Sequence, residues 1–583
     1  MSNYRITPHA PENVYDTIYT VTANCTDCYS CVRACPVKAI RITGNQAYVM
    51  DHLCIKCGTC VRECPQQAKT IRSSLENARR LVAQRERVAI SVAPAFASIF
   101  NGWRASRLPA ALRMLGFTYI TETAEGASLI TAEATKQGFP GGVCTACPAV
   151  VCYVEMYRPQ YLSKLLPVVS PMIAHGRALK ERYGQDCAVI FVGPCAAKKY
   201  EARRPEFADA IDEVITFEEL LTWMEEEGID LSACAESDFE WTSFNPAARL
   251  FPLQGGMLKT GDIASDGTDD TVLHLSGAEE VMTLFDLPQR DWRLRIIEPL
   301  FCKGGCINGP AMPRSRNLLE LRSSLIAYQK SVPPRPALEE APELQLGTAF
   351  TPNPVAYQPD EVSEDQIQMV FLSTGKSTPE AQLNCGACGY HTCRQNAIAV
   401  VRGMAEPQMC MPYMRRLAQQ RSDKVIETSS SGVVVLDREL CIINMNPAFM
   451  KMFSCNNSIL GRRISYLVNA DGYELLRSGK EESFETVRAK YGIRYHEVLH
   501  ALRDEQQYVG TYTDISRLKF DSKQIDLVKR QTLEQAKELL DQQIAFSQEM
   551  AHYLGRSTAQ NEEFVRRLMA LFSDDDTVRG EPR

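Results

Sequence analysis

A chain of 583 residues is too long for one hydrophobic core and is expected to divide into three or more domains. Its 45% apolar and 23% charged content are ordinary for a soluble globular protein, and a net charge of −7 lacks the basic surface that a nucleic-acid partner requires. No run of about 18 apolar residues occurs. The first residues, MSNYRITPHAPENVYD, lack the basic-then-apolar pattern of a secretory signal, so a cytoplasmic protein without a membrane span is expected. The 22 cysteines fall mostly in clusters beside proline or glycine. Disulfides are rare in a reducing compartment, so such clusters point to metal sites.

Residues 1–75 contain an internal repeat. CTDCYSCVRACP (25–36) and CIKCGTCVRECP (54–65) share the spacing C-x2-C-x2-C-x3-C-P. This is the spacing of bacterial two-cluster ferredoxins, in which the fourth cysteine serves the other cluster. On that pattern Cys25, Cys28, Cys31 and Cys64 hold one [4Fe–4S] cluster, and Cys54, Cys57, Cys60 and Cys35 hold the second. Thiolates suit this task because soft sulfur donors match cluster iron. A pair of zinc knuckles is the alternative, and two copies each ending in Cys-Pro weigh against it.

Residues 76–365 alternate apolar β-type runs, such as RVAISVAP (87–94) and CAVIFVGP (187–194), with helical stretches, which reads as α/β. Three separated segments add cysteines: VCTACPAVV (143–151), VGPCAAKKYEA (192–202) and EPLFCKGGCINGP (298–310). In the third, Gly304 and Gly305 between Cys302 and Cys306 allow the backbone to approach a bulky inorganic group. Over roughly residues 85–320 the chain resembles the H-cluster domain of [FeFe]-hydrogenases, which carry three motifs of this kind in this order.

The resemblance implies that Cys147, Cys195, Cys302 and Cys306 bind a cubane. Cys306 would also bridge to a diiron subcluster bearing CO, cyanide and a dithiolate amine. It further implies that Lys198 hydrogen-bonds a cyanide, that Ala93 and Pro94 lie against another, and that Glu201 serves a proton route. Departures accompany these matches. Family members built for turnover carry a cysteine directly before the first ligand, where this chain has Ala146. Gly193 and Leu300 replace methionines that flank the diiron site, and an upstream relay position falls on Gln137. Loss of a positioned proton donor costs about 10²–10⁴ in rate, so slow hydrogen chemistry is expected. A structural [4Fe–4S] protein without diiron is the alternative.

Residues 331–362, rich in proline and acidic side chains, read as a linker or surface strap. In 366–415, Cys385, Cys388, Cys393 and Cys410 resemble a small four-cysteine [4Fe–4S] domain, with zinc as the alternative and His391 as a surface residue. Residues 416–520 resemble a PAS domain. SGVVVLDRELCIINMNPAFMKMF (431–453) reads strand, turn, strand, helix, and RYHEVLHAL (494–502) and QYVGTYTDI (507–515) read as further strands. His496 and His500 fall on one strand face and are expected at the surface. A charged helical stretch over 516–572, most of it in the terminal segment 521–583, precedes a disordered tail, and Leu518, Ile525, Leu539, Phe546 and Tyr553 share a seven-residue lattice, interrupted by Thr532, suited to a homodimer seam. Cys144 is a candidate substitute proton donor. Cys152, Cys187, Cys234, Cys441 and Cys455 read as small buried hydrophobes.

The expected architecture is therefore multidomain α/β and α+β: a ferredoxin-like 2[4Fe–4S] module, an α/β H-cluster domain, a small four-cysteine domain, a PAS domain and a terminal signalling helix. The resemblance implies an [FeFe]-hydrogenase of the sensory type. It would bind and slowly turn over H2, exchange electrons with a redox partner protein, and report to a separate signalling protein. The rival readings are a metabolic ferredoxin-linked hydrogenase and a non-catalytic cluster-handling protein.

Overall fold

The computed structural model describes residues 17–140, 142–240, 244–264, 271–287, 295–313, 317–332, 344–353, 362–479, 481–502 and 506–516. The chain divides into two compact units, 1–414 and 415–583. The lattice from Leu518 to Tyr553 lies outside the described residues. Among those described, no helix is long and apolar enough to cross a membrane.

In the first unit the repeat is visible in the backbone. Asp27 and Lys56, Tyr29 and Gly58, and Lys38 and Gln67 occupy matching places in the two copies, and all six have positive φ. Each copy places its third cysteine in a single helical turn, Ser30–Ala34 or Thr59–Arg62. The ends of the module are pinned by β1 (Ile18–Thr20) running antiparallel to the later strand at Lys69–Ile71. Between them β2 (Ile40–Thr43) and β3 (Gln46–Val49) form a hairpin. Its two turn residues, Gly44 and Asn45, have φ of 57° and 58°, the conformation that a two-residue hairpin turn demands. The Lys69–Ile71 strand is β4.

The larger body is built on β5 (Val88–Val92), β6 (Tyr119–Glu122), β7 (Ala188–Gly193) and β8 (Glu213–Thr216), ordered β6-β5-β7-β8 and parallel throughout. β5 and β7 are buried along their whole length, as continuous apolar runs in a parallel sheet must be when helices cover both faces. A second parallel pair, β9 (Val272–Ser276) and β10 (Ile296–Leu300), is joined to the loop before Cys147 through a bridge between Val143 and Ile297. Residues 344–353 lie along this body as an extended strap: Val169 donates its N–H to the Leu346 carbonyl (2.9 Å), and Thr348 donates to Pro167 (3.0 Å).

Residues 363–414 carry two capped helices, Glu364–Ser373 after Ser363 and Cys393–Val401 after Thr392, each with a reciprocal capping box.

The second unit is an antiparallel five-stranded sheet of β11 (Gly432–Leu436), β12 (Ile442–Met445), β13 (Ser483–Lys490), β14 (Ile493–Leu502) and β15 (Gln507–Asp514), ordered β12-β11-β15-β14-β13. Phe449, Phe453, Tyr473, Tyr495 and Tyr512 fill its core. Tyr473 and Tyr512 share a hydroxyl hydrogen bond of 2.9 Å. The core is filled by these aromatic rings, and Gly510 leaves the room that the Tyr473 hydroxyl occupies.

Two expectations need correction here. His496 is buried, 3% exposed, with Nε2 at 2.6 Å from the Glu485 carboxylate, and His500 is half-buried, so neither is a free surface histidine. Cys441 and Cys455 are half-buried, whereas Cys144, Cys152, Cys187 and Cys234 are buried. β13 and the helix Asp471–Arg477 were not anticipated from the residue pattern.

Candidate metal centre

Two strand ends and two helix starts converge on the central cysteines. Cys147 precedes the helix Pro148–Tyr157, and Cys195 follows β7 and precedes the helix Ala196–Glu201, both in extended backbone. Cys302 and Cys306 follow β10. This is where open α/β sheets place ligands, beyond the carboxyl ends of parallel strands. The third motif wraps onto the second: Cys306 donates its N–H to Pro252 (2.7 Å), and Ala311 donates to Pro194 (3.2 Å). Gly305, with φ of 91°, has its Cα face against the Pro252 carbonyl, and a Cβ there would stand 2.2 Å from that oxygen.

The four thiols act on one another electrostatically. Burial pushes Cys195 up to about 12, with the Cys147 thiol adding to this and Lys198 opposing it. Burial likewise raises Cys302 and Cys306, reinforced for each by its companions in the set. The thiols of Cys195, Cys302 and Cys306, held protonated by desolvation and by their companions, become thiolates only when a cation replaces their protons. Iron held by sulfur meets that demand, so the donor set fits an iron–sulfur cluster.

The other sets are grouped in the same way. A cavity is lined by Cys25, Cys28, Cys31 and Cys64. Cys35 instead feels Cys57 and Cys54 and is pushed up to about 12, chiefly by burial; Cys60 feels Cys54, Cys35 and Cys57. The fourth cysteine of each copy therefore sits with the other copy's three. The backbone N–H groups of Ala39 and Ala68 donate to Cys35 and Cys64 sulfur, both at 3.2 Å. A further cavity is lined by Cys385, Cys388, Cys393 and Cys410. Among the described residues no three His, Cys, Asp or Glu side chains converge on a single ion-sized point. Two of the cysteine sets are instead spaced around cavities. His391 is exposed.

Cys57 faces the central set: its thiol interacts with Cys147, and Cys302 interacts with it in turn. Gly58 makes this approach possible, because a Cβ there would lie 2.4 Å from the Pro310 ring. Arg62 donates to the Gly309 carbonyl at 3.2 Å across the same contact.

Lys198 is buried beside the central set. Its ammonium donates to the Glu201 carboxylate (2.7 Å), the Ser170 hydroxyl (2.8 Å) and the Ala146 carbonyl (3.3 Å). Ser170 begins the helix Pro171–Tyr183, yet its hydroxyl caps no backbone N–H and serves Lys198 instead. Ala93 and Pro94 are buried at the end of β5. Gly193 is enclosed by the Phe191 ring, 2.6 Å from where a Cβ would stand, so no larger side chain fits without moving that ring. Leu300 is buried, and Ala146 is half-buried against the main core.

Gln137 is exposed and pairs with Glu133 at 2.6 Å, so it is no part of a buried relay. The buried acid of its helix is Glu125, bonded to His175 Nε2 (3.2 Å) and Arg182; these outweigh the upward push of burial and hold it at about 2. Cys144 is buried with its thiol pushed well up by desolvation and by Glu298. Burial pushes Glu298 itself to about 7, against the N–H groups of Met257 (3.0 Å) and Leu258 (3.4 Å). Residue spacing revealed neither Glu298 nor Ser170. The Ser-Pro pair opening a helix was the one signal for the latter.

Comparison with known proteins agrees with this arrangement. The family model described as iron only hydrogenase large subunit, C-terminal domain, matches residues 86–310. A 4Fe-4S dicluster domain matches 24–69, an Fe-S cluster model matches 381–412, and a PAS domain matches 420–488. The chain is 24% identical over 413 residues to the NADP-reducing hydrogenase subunit HndD of Solidesulfovibrio fructosivorans, covering 60% of this chain and 66% of that one. It is 26% identical over 285 residues to iron hydrogenase 1 of Clostridium pasteurianum, covering 40% and 50%. A shorter match, 35% over 88 residues and 15% and 17% of the two chains, is to the cytosolic Fe-S cluster assembly factor NAR1 of Vanderwaltozyma polyspora. A solved [FeFe]-hydrogenase of Chlamydomonas reinhardtii aligns with 18% identity and a TM-score of 0.37, over 48% of this chain and 99% of that one. The chain spans half to two thirds of the length of the two hydrogenase relatives. Residues 86–310 thus match the C-terminal domain of the iron-only hydrogenase large subunit, in a chain that also matches 4Fe-4S dicluster, Fe-S cluster and PAS domains.

Proposed function

We propose that the protein binds H2 and turns it over slowly at a complete H-cluster, and that its redox state is reported through the PAS unit. The observation that carries this reading is the Lys198 ammonium, buried beside Cys195 and Cys306, with a methyl group at position 146. Cys147, Cys195 and Cys302 would hold the cubane, with Cys306 shared between it and a diiron subcluster carrying CO, cyanide and a dithiolate amine. When bound, that subcluster supplies the heterolytic cleavage of H2.

The chain's own groups supply the rest. Lys198 offers a buried cation to an anionic ligand, and the Ala146 carbonyl, its longest contact, is the partner most readily exchanged. Glu201 orients that ammonium. Ala146 has no proton to give, so proton delivery is the weak part of the site and turnover is slow. Cys57 gives electrons a way out toward the dicluster module. Hydrogen, a redox partner protein and a separate signalling protein are the proposed partners, in a cytoplasmic homodimer.

Infrared spectroscopy after loading with the diiron cofactor tests the reading. Bands of bound CO and cyanide, with hydrogen-dependent changes and low dye-linked turnover, are expected. The 35% identity to a cluster assembly factor favours one rival, a non-catalytic cluster-handling protein. For it, no such bands would form.

A further inference from the structure

The 385–410 cysteine set is docked on the dicluster module, at one place in the first repeat copy. Gly389, next to Cys388, lies against the helical turn Ser30–Ala34; a Cβ on it would stand 2.8 Å from Val32 and 3.2 Å from the Arg33 nitrogen. Arg33 donates to the Ala387 carbonyl at 3.2 Å. Ile42 donates its N–H to Met404 (3.0 Å), and Gly44 donates to the Glu406 carboxylate (2.9 Å). Val32, Ile40, Tyr390, Ala399 and Met409 share one apolar cluster.

Lys38 closes this contact. Its ammonium donates to the Val32 carbonyl (2.9 Å), the Arg33 carbonyl (3.2 Å) and, across the contact, the Gly389 carbonyl (2.9 Å). It lies 5.9 Å from the centre of the buried Tyr390 ring. Burial disfavours the charge on Lys38, opposed first by Cys35 and then by Cys388; burial likewise raises Tyr390, with the same two cysteines adding to it. In the second repeat copy the matching position is Gln67, which is uncharged. Lys38 is thus one of the positions at which the two copies of the module differ.

Cys35 belongs with Cys54, Cys57 and Cys60, the set that also faces the central site through Cys57. We propose that this set is a branch point, and that Lys38, held between Cys35 and Cys388, is the positioning residue through which the 385–410 set exchanges single electrons with it. The proposal rests on the reading that both sets hold [4Fe–4S] clusters. In the step, the reduced cluster on Cys35, Cys54, Cys57 and Cys60 loses one electron and the oxidised cluster on Cys385, Cys388, Cys393 and Cys410 gains it. No bond forms or breaks, and no proton is required. A cation shared by two clusters stabilises the reduced, more negative state of each, and it raises both potentials together.

The test uses the full chain, reconstituted anaerobically with iron and sulfide, poised with dithionite and followed by electron paramagnetic resonance. Signals are assigned with Cys28→Ala, which removes the first set's cluster, and Cys385→Ala, which removes the cluster of the 385–410 set. Lys38→Met should lower the reduced-to-oxidised ratio of both linked clusters about tenfold at a fixed potential, about 59 mV for one electron. Lys38→Arg should restore it. The cluster on Cys25, Cys28, Cys31 and Cys64 should move several-fold less. In the fully reduced protein, Cys385→Ala should sharpen the signal of the Cys35 set by removing a neighbouring spin. Full iron content with unmoved potentials in Lys38→Met overturns the branch point. So does sharpening confined to the Cys25 set. A wild-type protein that binds no iron at 385–410 overturns both the branch point and the cluster reading beneath it, and the iron count tells the two failures apart.

Discussion

Lys198 donates a hydrogen bond of 3.3 Å to the carbonyl of Ala146, so a position lacking an expected proton donor is tied through its backbone to the buried cation of the site. Changing the side chain at 146 leaves that backbone contact in place.

Ala146→Cys should therefore raise dye-linked hydrogen turnover without disturbing Lys198. Adding one sulfur atom to a half-buried side chain carries little steric cost. The gain is bounded at about 10²–10⁴-fold, the usual worth of a positioned proton donor. Gly193 and Leu300 also depart from the turnover pattern, so a partial gain is the expected outcome. An unchanged rate at full diiron occupancy by infrared would move the slow step to electron transfer or to another proton group.

Cys306→Ala should abolish hydrogen chemistry and the infrared bands of the diiron site. Iron in the three accessory sets should survive, because those cysteines line separate sites. Iron and sulfide analysis beside a turnover assay checks this. Residual hydrogen turnover would show that Cys306 is not the bridging ligand.

Glu125 makes the central domain sensitive to acid. Its folded value of about 2 lies below the ordinary 4.5, so the unfolded chain takes up its proton first as pH falls. The stabilisation is fully present above pH 4.5 and is lost as pH drops from 4.5 toward 2. It amounts to about 3 kcal/mol at most. All four tryptophans, Trp103, Trp223, Trp241 and Trp292, lie in 76–365, so their fluorescence follows this domain in a chain that unfolds in more than one step. In urea unfolding of the apoprotein, Glu125→Gln should be less stable at pH 7 and should show a flatter loss below pH 4.5. A parallel loss in both proteins would place the acid sensitivity elsewhere.

Removing residues 416–583 should leave dye-linked hydrogen oxidation intact and weaken self-association. Every cysteine assigned to a cluster precedes this cut, and the first compact unit ends at Met414. Sedimentation of the truncated protein decides the second half. An unchanged oligomeric state would mean that the Leu518–Tyr553 lattice is not the dimer seam.

The legible parts of the chain were those whose signal is local. Cysteine spacing marked the repeat copies and the 385–410 set, and the unbroken apolar runs at 88–92 and 188–193 announced strands buried on both faces. What stayed hidden depends on partners far away in sequence. β13, SFETVRAK, has few apolar residues and becomes a strand by pairing with β14. His496 is buried by its neighbours and by Glu485, not by its place in an alternating pattern. Glu125 acquires its role from His175 and Arg182, some fifty residues on, while the polar Gln137 nearer the cysteines drew attention to the wrong end of the helix.

A duplicated fold begins life indifferent to direction, since either half could face either neighbour. Here two edits remove that indifference. Where one half has Tyr29 the other has Gly58, which opens one flank to Pro310, and Lys38 stands where the other half keeps Gln67, which marks the opposite flank. The module has thereby acquired distinguishable terminals, like a component that can be wired only one way round. Exchanging the residues at each pair of positions should therefore scramble which neighbour each half accepts while leaving the cysteines, and the cavities they line, untouched.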